Sequence, residues 1–380
     1  MRQNATFFNK DFYEMKGKIS KFIIYSFLGI ITSCNTNSDN MVDAVSINGQ
    51  RIKLDTTYNA MVTKCFIGDI FISQEIFGNR GYYGGIIKNN ESYKPTIVFK
   101  TGHGHNEFNS LVFGKREDGS LLLFDIPSRP GSITVISETD SIENIKDESK
   151  WEKFDLTNLP SFRYTGDNIY SISDSTILVT GAPWDKIGHI FSIIDYKNQK
   201  VLPLKYWPDD GVKIDSLVKH SVYADYGSVF GNGSGRYMYQ CGRERYAFIF
   251  VIDGDKVNVI KELYSVYSDY TTDDGQNYKT KSRNAEELMS TTDNNHIYIL
   301  LKEFDKEGKK MKEWHPTIYG NIIEMYDWNG NIQRKIRLDH YGQRIMLSED
   351  NKKLYLLTDD FDGDNFNPEI WVYNLENFID

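Results

Sequence analysis

From about residue 61 to the C-terminus the chain is a succession of short apolar or alternating runs separated by Gly, Asn, Asp and Ser. Ile70-Phe71-Ile72, Thr96-Ile97-Val98-Phe99, Leu121-Leu122-Leu123-Phe124, Thr176-Ile177-Leu178-Val179 and Ile190-Phe191-Ser192-Ile193-Ile194 are examples in its first half. Ala247 to Ile252, Ile297 to Leu301, Leu354 to Leu357 and Ile370 to Tyr373 continue the pattern in the second. Runs of this length, rich in branched and aromatic residues and bounded by turn formers, predict β-strands. Helical periodicity is confined to two short stretches, Asp215 to His220 and Asn284 to Met289. The dipeptides Asp118-Gly119, Asp253-Gly254, Asp274-Gly275 and Asn329-Gly330 tolerate positive φ and predict tight hairpins. The predicted class is all-β.

A longer period underlies the hairpins. Gly320 to Asp339 reads as a strand, a turn and a returning strand, and Ile345 to Leu357 follows with an apolar stretch, an acidic and Asn-containing turn, two lysines and a second apolar stretch ending in Tyr and Leu. Weaker echoes occur at Leu111 to Phe124, Ile169 to Val179 and Ser290 to Leu301. Repeats of roughly 40 to 50 residues built from about four strands are the signature of propeller blades, none of which can bury both faces alone. The stretch 46–380 is therefore expected to form a single six-bladed β-propeller of four-stranded antiparallel blades. A strand from near Ser46 to Leu54 should close the ring against the last blade, because an open ring would leave an edge exposed.

The repeat unit, together with Gly102-His103-Gly104-His105-Asn106-Glu107-Phe108 after the strand at Thr96 to Phe99, resembles the TolB-like six-bladed β-propeller lipoproteins. Those proteins have a Gly-x-Gly-x-x-Glu-Phe loop after an early strand and a late hairpin similar to Glu324-Met325-Tyr326-Asp327-Trp328-Asn329-Gly330. Their closing strand is similar to Ile370-Trp371-Val372-Tyr373-Asn374-Leu375. The resemblance implies a six-bladed ring on a membrane anchor, and a Glu107 that caps backbone N–H groups at a blade junction.

The first 40 residues read as an address. Lys16, Lys18 and Lys21 accompany the short apolar run from Ile19 to Ile31, which falls short of the about 20 apolar residues that a membrane-spanning helix needs. Ile31-Thr32-Ser33-Cys34 follows and resembles the lipobox of bacterial lipoproteins. Residues 1–33 are thus expected to be a lipoprotein signal peptide, with Met15 as an alternative start, and 34–45 a lipidated Cys34 and polar spacer. Asn35, in place of the Asp that favours inner-membrane retention, points to the outer membrane, on its periplasmic or surface face.

Charge narrows the partners. Loss of 1–33 removes five basic and two acidic residues from 44 and 53, leaving a mature net charge of −12. An acidic domain is repelled by polyphosphate, so nucleic acid is not an expected partner. Hydrophobic residues make up 40% of the chain, enough for a packed core. Cys65 and Cys241 lie within strand-like segments assigned to the first and fourth blades, across the ring from one another, and read as buried free thiols.

Several groupings are candidates for chemistry. His103, His105 and Glu107 alternate as metal ligands on a strand do, although Gly102 and Gly104 favour a loop. Asp359-Asp360-Phe361-Asp362-Gly363-Asp364 crowds carboxylates as a calcium loop does, with Asp360, Asp362 and Asp364 as the ligands. Its spacing departs from the EF-hand pattern, which favours a solvated acidic loop. Trp184, Trp207 and Trp314 stand beside prolines in loop-like segments, placed either to stack on a ligand or to pack between blades. Arg243-Glu244-Arg245 reads as a surface turn. Gly231 to Gly235 contains a serine among glycines without the nucleophile-elbow spacing, and no metalloprotease, P-loop or dinucleotide motif occurs.

Two functions follow. The first is a monomeric, membrane-anchored propeller that binds an envelope protein or a glycan-derived ligand and needs no cofactor. The second is a hydrolase or lyase that holds calcium or another divalent metal at the central channel and acts on carbohydrate.

Overall fold

A computed structural model describes residues 43–58, 61–75, 81–125, 131–160, 162–164, 166–183, 189–225, 227–242, 244–275, 279–280, 286–303, 319–362, 365–376 and 378. Cys34, Trp184, Trp314 and Asp364 lie outside them. Residues from Ala44 onward form one compact unit of six antiparallel sheets.

Each sheet is a blade whose strands run outward from the ring centre as A, B, C and D. Blade 1 comprises Met61–Ile67, Ile70–Glu75, Tyr82–Lys88 and Thr96–Thr101, and blade 2 comprises Leu111–Lys115, Leu121–Asp125, Ser132–Ile136 and Trp151–Asp155. Blade 3 has its A strand in two pieces, Phe162–Tyr164 and Tyr170–Ser171, before Thr176–Pro183, Phe191–Asp195 and Lys200–Leu204. Blade 4 comprises Ser228–Gly231, Tyr237–Gln240, Tyr246–Asp253 and Lys256–Ser265. Blade 5 comprises Glu286–Thr292, His296–Glu303, Tyr319–Asp327 and Ile332–Gly342. Blade 6 supplies Arg344–Leu347, Lys353–Asp362 and Asn365–Asn374, and its D strand is Gln50–Ile52 from the other end of the sequence.

The blades cohere for a reason that can be read along single strands. Among the described residues the buried apolar side chains form six clusters, one at each blade junction. Successive strand residues point to opposite faces, so Leu121 and Leu123 pack towards blade 1 while Leu122 and Phe124 pack towards blade 3. Ile297 and Ile299 likewise meet blade 4, and Tyr298 and Leu300 meet blade 6. A strand buried on both faces needs no polar alternation, hence the unbroken apolar runs. Each such side chain contributes about 1.5–3 kcal/mol on burial, so a blade is stable only between two neighbours.

The echoes seen in the sequence are all A–B hairpins. Arg116–Ser120, Ile172–Ser175, Asp293–Asn295 and Ser348–Lys352 are the turns of blades 2, 3, 5 and 6. In the last, Ser348 Oγ donates to Asp350 Oδ1 at 2.6 Å and accepts from Lys353 N at 2.9 Å.

Two expectations require correction. Asn284 to Met289 is not helical in its described part: Glu286–Thr292 is the A strand of blade 5, because burial of Leu288 against blade 4 outweighs the helix propensity of Glu, Leu and Met. Asp359 to Asp362 is not a loop, since its backbone pairs with Asn365 to Pro368 in an extended B–C hairpin. The other helix expectation corresponds to Ser216–Tyr223, capped by Asp215, whose side chain accepts from Leu217 N. An unanticipated helix, Ile142–Lys146, is capped in the same way by Ser141.

The two cysteines stand in blades 1 and 4, both as free thiols. Burial pushes the Cys65 thiol up to about 12, where no thiolate forms at neutral pH.

Candidate functional site at the channel mouth

Antiparallel pairing gives the ring two unlike faces. The A–B and C–D turns open on one, here the turn face. The D-to-A connections between blades and the B–C links open on the other, the connection face.

The turn face is cross-tied. Lys115 of blade 2 pairs with Glu349 of blade 6 at 2.7 Å, and Arg116 with Asp174 of blade 3 at 2.5 Å. Gly233 N of blade 4 donates to Tyr170 OH of blade 3 at 3.0 Å. Arg236 of blade 4 donates to Trp328 O and Asn329 Oδ1 of blade 5 at 2.6 and 2.5 Å. Polar groups there are committed to holding neighbouring blades in register.

The connection face differs at its centre. Blade 3's A strand breaks between Tyr164 and Tyr170, and Asp167 sits in the break. Interruptions of this kind re-aim a side chain out of the ladder. The surrounding backbone is held from both sides: Asp167 N donates to Gly227 O at 3.0 Å and Ile169 N to Phe113 O at 3.4 Å. Asn168 donates its amide to Val229 O and accepts from Val229 N, each at 2.9 Å, and Tyr164 OH donates to Asn168 O at 2.8 Å. Gly166 is required by close approach, since a Cβ there would lie 2.2 Å from Thr180 Oγ1.

Asp167 is open to solvent yet deep in the ring, so lost hydration raises its carboxyl pKa above the ordinary value against the opposing pull of Arg344, Lys64 and Lys302. Its carboxylate makes no hydrogen bond or ion pair with a described residue. Arg344 begins the A strand of blade 6, diametrically opposite blade 3 in a ring of six. One of its N–H groups, on Nη1, donates to Thr63 O at 3.3 Å, and no described carboxylate pairs with it. Lys302 is matched by Glu287 at 3.1 Å. A desolvated carboxylate and an uncommitted guanidinium facing each other across a channel have the marks of a binding site. Neither residue stood out in the sequence. Gly166-Asp167-Asn168 has the composition of an ordinary turn, and Arg344 is distant in the chain.

The residues singled out from the sequence are placed differently. Glu107 folds back on its own loop: its Oε2 accepts from Gly104 N at 2.9 Å, and a Cβ on Gly102 would lie 2.1 Å from the same oxygen. Phe108 is buried against Phe99 and Trp151. The glycines, the acid and the aromatic of that motif thus build the turn into blade 2, while His103 and His105 are exposed. Among the described residues no group of three or more His, Cys, Asp or Glu is arranged to hold a metal ion. Trp207 is half-buried and packs on the cluster between blades 3 and 4, the packing alternative considered for it. Glu244 is buried at 3% exposure, so its segment is not a surface turn, and Arg245 lies over the Tyr264 ring at 5.1 Å. Gly231 to Gly235 is the A–B turn of blade 4, with Ser234 N bonded to Asn232 Oδ1 at 2.9 Å.

No protein-family model and no curated protein sequence matches the chain. Among solved structures it is similar to a member of the DUF4221 family from Bacteroides vulgatus, with TM-score 0.51 and 14% identity over 88% of this chain and 99% of that one. It is also similar to a fungal alcohol oxidase in complex with copper, with TM-score 0.46 and 12% identity over 83% and 74% of the two chains. A third likeness is to YCF48 bound to D1 peptide, with TM-score 0.42 and 10% identity over 89% and 99%. At such identities the likeness to the first of these extends to the fold and no further, and the chain is a six-bladed β-propeller of four-stranded antiparallel blades.

Proposed function

We propose that the chain is an exported lipoprotein of the outer membrane, TolB-like in its architecture, that serves as a binding module and engages its ligand at the connection face. Export and anchoring rest on the signal-like segment and the lipobox ending at Cys34. The observation that carries the binding reading is the contrast between the two faces. Charges on the turn face are paired across blade junctions, whereas Asp167 and Arg344 at the opposite mouth are uncompensated. Keeping such groups unpaired costs stability, and ligand contact is what offsets that cost.

The test uses the full-length chain in a bacterial host, with a photo-crosslinking residue at the exposed position 105 on the connection face or 117 on the turn face. Crosslinks to envelope components are expected from 105 and not from 117, with the protein in the membrane fraction and Cys34→Ser releasing it. Crosslinks from 117 alone, or a wild-type chain that never reaches the membrane fraction, would refute the reading.

A further inference from the structure

The channel mouth also defines the chemistry of what it takes, an assignment that rests on the binding reading above. A guanidinium carries five N–H donors in a planar fork that matches a carboxylate with two parallel hydrogen bonds. Arg344 has one of these donors on the Thr63 carbonyl, and that contact fixes its side chain while leaving other donors available. Asp167 faces it from the opposite blade as an acceptor without a partner, on backbone stitched to both adjacent blades. The two do not touch, for no ion pair joins them. The space between them therefore suits a molecule that presents a carboxylate at one end and a hydrogen-bond donor at the other. Lys302 does not compete for that carboxylate, because Glu287 already neutralises it.

We infer that the mouth binds a small organic carboxylate bearing an adjacent hydroxyl or ammonium group, with the carboxylate on Arg344 and the donor on Asp167. Both anchors are preorganised, so little ordering entropy opposes binding. A carboxylate without the donor leaves Asp167 desolvated and unpartnered, and a neutral polyol leaves Arg344 so. Each should bind poorly.

Titration calorimetry on the purified full-length chain with glucuronate, alanine, acetate and glucose decides the matter. Glucuronate or alanine is expected to bind at least ~10-fold more tightly than both acetate and glucose, the size of one charge-assisted hydrogen bond. Preference for alanine identifies the donor as an ammonium, and preference for glucuronate as hydroxyls. Arg344→Gln and Asp167→Asn should each remove at least ~10-fold of that affinity, and Arg344→Lys should recover part of it. The assignment is overturned if neither molecule binds, if acetate binds as well as both, or if affinity survives in Arg344→Gln and Asp167→Asn alike. The wild-type comparison stands alone should a variant misfold. Failure of this panel while crosslinks still arise from position 105 overturns the ligand class only. Crosslinks from the turn face overturn both readings.

Discussion

Deleting residues 45–52 from the full-length chain is expected to lower stability by on the order of 5 kcal/mol, comparable to the whole folding free energy of many domains. The segment closes the ring twice over. Val45–Ile47 pairs in parallel with blade 5's outermost strand, and Gln50–Ile52 then pairs antiparallel with blade 6's C strand. Ile47 and Ile52 are 9% and 1% exposed, and each removes about 1.5–3 kcal/mol of burial when lost. Between them, Gly49 N donates to Asp339 Oδ1 at 3.0 Å, and Tyr373 OH donates to the same oxygen at 3.0 Å. One blade 5 carboxylate thereby joins the turn to blade 6. Deletion frees the edge of blade 6 and opens the clusters on either side of it. Gly49→Val is the finer probe, because a Cβ there would sit 2.6 Å from the Tyr373 ring. Urea unfolding should show a midpoint lowered by both changes. An unchanged midpoint after deletion would mean that the ring holds without this strand.

The second large effect is expected at Asp210. Its side chain is 1% exposed and pairs with Lys219 at 2.7 Å. It also accepts from Val212 N at 3.0 Å, Tyr223 OH at 2.9 Å and Tyr270 OH at 2.7 Å. Asp210→Ala strands a mostly buried ammonium and two phenols, a loss of about 3 kcal/mol or more. Asp210→Asn should lose less, since an amide oxygen still accepts. The pH dependence follows in sign. Burial opposes ionisation of Asp210, yet hydrogen bonds from Lys219, Tyr270, Val212 N and Tyr223 outweigh it and hold the carboxyl below its ordinary value. A depressed folded pKa means that the stabilisation is complete above the unfolded carboxylate pKa of about 3.9 and is lost as pH falls from there through the lower folded value. Thermal melts from pH 6 down to pH 3 should therefore fall more steeply for the wild type than for Asp210→Ala. Parallel curves would show that Asp210 carries no such linkage.

Much of the fold was legible because burial on both blade faces writes itself into single runs such as Leu121 to Phe124 and Ile297 to Leu301. The period was legible because A–B turns reuse one device, an Asp or Ser side chain capping N–H groups two or three residues on. Asp118 with Ser120 N and Asp293 with His296 N are examples. Local propensity misled where tertiary burial overrode it. Glu286 to Met289 has helix-forming composition in a strand, and Asp359 to Asp362 has loop composition in a hairpin. The candidate site was hidden for a different reason. Asp167 and Arg344 acquire meaning only when the ring sets blade 3 opposite blade 6, a relation that no linear spacing encodes. The more conspicuous histidine motif is largely accounted for by loop construction, since Glu107 and both glycines serve one turn.

These strands converge on a ring braced on its turn face and open to a ligand at the opposite mouth. Hydrogen–deuterium exchange of the full-length chain, with and without the tighter binder of glucuronate and alanine, tests that claim most directly. The account predicts slowed exchange at 166–169 and 342–345, with the turns at 116–120, 232–236 and 348–352 unchanged. Protection confined to those turns or to the outer D strands, with 166–169 and 342–345 unaffected, would contradict it.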